Sequence, residues 1–167
     1  QGYLTSEQRK EKWGEDYQKY ESKLETIVKA VEGEFLTYDN EYCLCAFSAI
    51  CTGTTESAEN VWGEKIPYLV SVKSSGDTLS PQYSSTNTFT KSQFISIMKD
   101  LDISINSKAN LEEIIGKTKT SKAGTVLKIE INKKNLTGEQ IRSAFSLRSS
   151  AFKITATENE VTFKVSG

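Results

Sequence analysis

Between Thr52 and Tyr68 the chain sets out hydroxyls, one carboxylate and two aromatic rings: Thr52, Gly53, Thr54, Thr55, Glu56, Trp62 and Tyr68. Hydroxyls and a carboxylate exchange hydrogen bonds with a polar ligand, and aromatic faces give it a flat apolar surface. An apolar run, Leu44–Ile50, precedes them and is expected to form a buried strand that delivers the Thr52–Gly53 turn. Glu56 has two readings. It can accept bonds from a ligand or orient another acid, or it can cap the short helix expected from Ser57 to Val61, where a carboxylate near the amino end is favoured by about 0.3–1 kcal/mol. Trp62 and Tyr68 can stack on ligand rings, with core packing as the alternative for Trp62.

The three thiols, Cys43, Cys45 and Cys51, are odd in number and do not follow a Cys-x-x-Cys pattern, and the chain has no histidine. They are expected to be buried free thiols, with no metal and no cofactor. The chain has 167 residues, 21 basic and 22 acidic, for a net charge of −1. That balance gives no electrostatic case for nucleic acid or an anionic membrane as partner. It contains no apolar stretch long enough to span a bilayer. It opens on Gln1 rather than Met, so a processed or excised piece is expected.

The elements that must position these residues follow from periodicity. Thr5–Val31 reads as helix interrupted near Gly14, with Trp13, Tyr17, Tyr20, Leu24, Ile27, Val28 and Val31 on one face taken as core. Gly33 is the expected stop. A hairpin of Glu34–Tyr38 and Glu41–Ala49 turns at Asp39-Asn40. Lys73–Thr88 is polar and reads as a long connection, either functional or a surface excursion. Thr90 with Gln93 and Thr137 with Gln140 have capping-box spacing, which starts helices reaching Leu101 and Phe145. A short helix is expected around Leu111–Ile115, and Lys117–Lys122 reads as a solvated loop or hairpin tip. Val126–Ile131 alternates as a half-buried strand, and Phe152–Thr157 with Val161–Val165 forms a terminal hairpin. Arg148 is expected in a salt bridge at a helix end. The class is α+β: N-terminal helices, a mostly antiparallel sheet with hairpins, and one late helix packed on the sheet. One domain over 1–167 is expected, with lobes 1–88 and 89–167 as the alternative division.

Two blocks carry a resemblance. Gly53, Thr55-Glu56, Val61-Trp62-Gly63, Pro67-Tyr68-Leu69 and Val72 follow the order of the central motif of the stage II sporulation protein D and LytB amidase-enhancer family. Gly138–Phe152 resembles that family's Leu-Arg-Ser-x-x-Phe segment. The resemblance implies a peptidoglycan-directed, extracytoplasmic domain of a spore-forming bacterium. Its partners would be glycan strands and other cell-wall hydrolases of sporulation, with Ser48, Thr52, Gly53, Thr55, Glu56 and Tyr68 binding substrate. Complete members are implied to be lytic transglycosylases. In these one carboxyl protonates the leaving oxygen and then acts as base while the muramic acid 6-hydroxyl closes an anhydro ring. The presumed catalytic Glu and a zinc-binding Cys/His cluster are expected upstream of Gln1, and a Gly-His-Gly tail beyond Gly167. The family often has a cation at Thr54 and His at Ser48. A non-catalytic glycan-binding or amidase-enhancing module, or a structural fragment, is the alternative.

Overall fold

Thr5 begins the first helix because its hydroxyl accepts from the Gln8 amide while the Gln8 side chain accepts from the Thr5 amide at 2.8 Å. The computed structural model describes residues 3–167, and the chain divides into two compact units, Gln1–Cys45 and Ala46–Gly167.

In the first unit, α1 (Ser6–Trp13) ends at Gly14, whose φ of 49° suits a residue without Cβ. A single 3-10 turn leads into α2 (Tyr17–Ala30). The interruption expected at Gly14 is therefore present. Arg9 forks onto Glu21, its Nε and Nη2 reaching the two carboxylate oxygens at 2.8 and 2.6 Å, and this ties α1 to α2. Asp39 and Asn40, at φ 51° and 65°, turn the hairpin of β1 (Thr37–Tyr38) and β2 (Glu41–Tyr42).

Two expectations fail here. The apolar stripe of α2 is not core: Leu24, Ile27, Val28 and Val31 are exposed, Ile27 by 51%. The spacing defines a face, but α1 is polar apart from Trp13 and cannot cover it. The second hairpin strand also stops at Tyr42, so Leu44–Ile50 lies outside any strand, with Leu44 and Phe47 exposed.

The second unit holds the core. After α3 (Ala58–Trp62), β3 (Ser84–Thr90) passes straight into α4 (Lys91–Asp100) through the expected Thr90–Gln93 capping box. Next come α5 (Leu111–Ile114), β4 (Ile115–Thr120), β5 (Val126–Ile131) and β6 (Lys134–Leu136). Then α6 (Gly138–Ala144), capped by Thr137, leads to β7 (Phe152–Ala156) and β8 (Glu160–Ser166). Two antiparallel sheets result, ordered β3-β8-β7 and β4-β5-β6. The α+β class with a late helix is observed. Phe94, Met98, Ile129, Ile131, Ile141 and Phe163 are wholly buried between the sheets and helices.

The polar stretch Lys73–Thr88 is not one loop. It contains a 3-10 turn at Ser75–Leu79 and then most of β3, whose inward residues Ser85 and Asn87 carry no apolar signal. β4 escapes detection for the same reason: most of its length is exposed and polar. Among the described residues Arg148 makes no salt bridge; it donates to the Gln82 carbonyl at 2.9 Å.

Gly138 opens α6 against the backbone of β5, and a Cβ there would lie 2.0 Å from the Val126 carbonyl oxygen. Loss of the Thr137 hydroxyl cap costs about 1 kcal/mol. Gly138→Ala forces helix and strand apart and should cost more, about 2–3 kcal/mol or above. Urea unfolding of the two variants should therefore rank Gly138→Ala as the less stable, with Thr137→Ala between it and the parent.

Candidate functional site

The segment Cys51–Ala58 has too few apolar residues to bury itself, so backbone bonds to the stretch 69–77 hold it in place. Thr55 N donates to Val72 O at 2.8 Å, Ala58 N to Leu69 O at 3.0 Å and Ser74 N to Gly53 O at 2.9 Å. An isolated antiparallel bridge joins Thr54 and Lys73. Side chains add to the stitching. Thr55 Oγ1 accepts from Val72 N at 3.0 Å, and Ser71 donates to the Thr55 carbonyl at 2.7 Å. The Thr52 hydroxyl donates to the Ala123 carbonyl, and the Tyr83 hydroxyl donates to the Thr52 carbonyl at 3.1 Å. Gly53 turns the chain at φ 93°, and a Cβ there would meet Thr78 at 3.2 Å.

These constraints shape a cleft of about 450 Å³. Ser48, Thr52, Thr55, Glu56 and Tyr68 all line it, so five of the six residues singled out from the sequence meet in one hollow. Gly53 lies behind them, in the turn. Phe47, Val61, Trp62, Leu69, Val70 and Val72 supply an apolar wall, and Thr125, Ser149 and Ala151 close the far side. Trp62 is 54% exposed and therefore does not plug the core. The volume falls within the range of small-ligand pockets, roughly 300–1,000 Å³.

Glu56 is fully engaged. Its Oε1 accepts from the Ser57 amide at 3.0 Å and from Asn60 Nδ2 at 2.8 Å, and its Oε2 accepts from the Ser121 hydroxyl. Ser57 is the N-cap of α3 and accepts from the Asn60 amide, so Glu56 reinforces a cap whose centre is its neighbour. Burial pushes the Glu56 carboxyl up, but the bonds from Asn60, Ser121, the Ser57 backbone and Thr125 outweigh it. Together they hold the group below the usual carboxylate range. Ser121, Ala123 and Thr125 stand some 65–70 residues further along the chain, and no local pattern marks them as partners of Glu56 and Thr52.

The thiols are free, but they are not buried as expected: Cys45 is exposed, and Cys43 and Cys51 are half-buried. Neither Cys43 nor Cys45 lies in a strand, so they share no core face. At Cys51, burial and the Asp77 carboxylate push the thiol up, so little thiolate forms at neutral pH. Asp77 is held down by the bonds it accepts from the Cys51 thiol and from the Cys51 amide at 2.7 Å. Among the described residues no helix is long and apolar enough to cross a membrane.

The second unit is thus an α+β fold with a preformed cleft, lined by Ser and Thr residues and by the exposed rings of Phe47 and Trp62, of a size suited to a small ligand. Known proteins narrow the class. The chain is 34% identical over 153 residues to stage II sporulation protein D of Bacillus subtilis (strain 168), covering 92% of this chain and 43% of that protein. It is 33% identical over 167 residues to stage II sporulation protein D of Bacillus amyloliquefaciens, covering all of this chain and 47% of that one. An 84-residue stretch, half of this chain and 11% of the relative, is 32% identical to the amidase enhancer of Bacillus subtilis. No family model matches. The chain is thus a homologue of stage II sporulation protein D along most of its length, as the two sequence blocks imply. It spans about half the length of those relatives.

The depressed Glu56 carboxyl has a pH signature. A group whose folded value lies below its unfolded one, near 4.5, stabilises the fold above the unfolded value. That contribution is lost as pH falls through the folded value. Glu56→Gln should therefore be less stable than the parent at neutral pH, with the gap closing on acidification below the ordinary carboxylate range. Urea midpoints of both proteins across that range measure it; a gap independent of pH would mean that the charge is not what the network holds.

Proposed function

We propose that the chain belongs to a peptidoglycan-directed protein acting outside the cytoplasm of a spore-forming bacterium, and that its cleft holds a glycan strand. Residues 1–167 would form part of a single sporulation protein D/LytB-like domain. In the complete protein the function would be cleavage of glycan strands as a lytic transglycosylase, alongside other cell-wall hydrolases. The observation that carries the reading is the gathering of Ser48, Thr52, Thr55, Glu56 and Tyr68 in one cleft beside the exposed rings of Phe47 and Trp62. Pyranose rings offer an apolar face to an aromatic side chain and hydroxyls at their rim, which matches such a wall.

Glu56 would serve as an anchor and not as the proton donor. A general acid must hold its proton near neutral pH, which calls for a raised value, whereas three hydrogen-bond donors fix this carboxylate in its charged form. The similarity to an amidase enhancer favours a second reading, a module that assists a separate amidase without cutting.

Titration of the labelled chain with a disaccharide-peptide, followed by two-dimensional NMR, tests the binding. Weak binding is expected, near millimolar, about −4 kcal/mol. The amides of Gly53–Glu56 should shift, and those of Trp13–Ala30 should not. Saturating ligand that leaves the turn unmoved defeats the glycan reading. Incubation with purified sacculi should yield no anhydromuramyl product that depends on Glu56, so Glu56→Gln should leave the product spectrum unchanged. Faster amidase turnover on the same sacculi in the presence of the chain would select the second reading.

A further inference from the structure

Cys43 and Cys45 stand at the end of the first unit, separated by one residue, where the ladder of β1 and β2 has already ended at Tyr42. The Cys43 amide still donates to the Leu36 carbonyl at 3.0 Å, whereas Cys45 belongs to no strand. The Cys45 side chain folds back across the intervening residue, its thiol donating to the Cys43 carbonyl at 3.6 Å. Both residues are accessible to solvent, Cys45 exposed and Cys43 half-buried.

The third thiol is placed differently. Cys51 is half-buried, and both its amide and its thiol are bonded to the Asp77 carboxylate. A neighbouring carboxylate disfavours the thiolate that disulfide exchange requires. Reactivity is therefore concentrated in the pair. A bridge between Cys43 and Cys45 would enclose a single residue. Tying so short a segment removes little chain entropy, so it is a poor staple for the fold. A ring that tight is also strained, and strained, exposed disulfides are the ones most readily reduced.

We propose that Cys43 and Cys45 form a reversible dithiol–disulfide exchange site, whose substrate is a low-molecular-weight disulfide. Cys45, the more open of the two, attacks as its thiolate one sulfur of the external disulfide, forming a mixed disulfide and releasing one thiol. Cys43 then gives up its proton and attacks the Cys45 sulfur, closing the Cys43–Cys45 bond and releasing the second thiol. The two protein thiols lose two electrons and two protons, and the external disulfide gains both. Neither cysteine lines the cleft, so the site stands independently of the glycan reading.

The test equilibrates the reduced full chain, without air, in buffers of graded ratio of reduced to oxidised glutathione. Samples are quenched with acid, alkylated and mapped by mass spectrometry. The expected product carries an intrachain Cys43–Cys45 disulfide with Cys51 alkylated, and it should revert when the glutathione ratio is reversed. Cys43→Ser removes the resolving thiol, so Cys45 should accumulate as its glutathione adduct, while Cys51→Ser should oxidise like the parent. In the reduced chain iodoacetamide should modify Cys45 about tenfold or more faster than Cys51. Urea midpoints of the oxidised and reduced chains should nearly coincide. Chains joined through Cys45, a lasting glutathione adduct on the parent, or a bridge to Cys51 overturn the proposal. So does a Cys43–Cys45 disulfide that resists glutathione and raises the urea midpoint, which marks a structural staple.

Discussion

Phe163 stands on the middle strand of the β3-β8-β7 sheet with no exposed surface, 4.8 Å from Phe145, 5.4 Å from Phe152 and 5.9 Å from Phe89 between ring centroids. That cluster joins both sheet neighbours to α6, and through the stacked pair Phe94–Phe145 it reaches α4 as well. β3 illustrates the dependence. Phe89 is its one large apolar residue, so its place is fixed by a seven-residue ladder on β8. Removing the ring at 163 would leave a cavity where three aromatic contacts converge, the costliest kind of core truncation.

The cleft inherits its shape from that core. Its far side, Ser149 and Ala151, immediately precedes β7, and Ser150 O accepts from Val126 N at the head of β5. Thr125 and the Ser121 and Ala123 partners belong to the turn between β4 and β5. The near side is secured to this turn by side-chain bonds of Thr52 to the Ala123 carbonyl and of Glu56 with Ser121 and Thr125. Most of the hydroxyls that make the segment look like a ligand site are engaged in holding the backbone. What faces the opening freely is largely apolar: Phe47, Trp62, Val70 and Val72.

The first unit follows a different logic. α2 has a well-formed amphipathic face, and Trp13 packs against Tyr20 at 5.7 Å, yet none of the unit's described residues is fully buried. Amphipathic periodicity reports how side chains are distributed around a helix. Burial requires a second apolar surface, and α1 has almost none to offer.

The sequence by itself determined whatever depends on residues close in the chain. The Thr90 and Thr137 capping boxes, the break at Gly14, the Asp39-Asn40 turn, α4, α6, β5 and the terminal hairpin are all local, set by side chains three or four positions apart or by strict alternation. The motif around Glu56 was legible for the same reason, as a contiguous run. Only the tertiary structure decided the rest. β3 and β4 exist because partner strands accept their backbone bonds, and polar residues on both faces leave no periodic trace of that. The apolar run Leu44–Ile50 lies exposed because apolarity permits burial but does not provide a partner. Glu56 is charged and engaged because Ser121, 65 residues away, is folded against it.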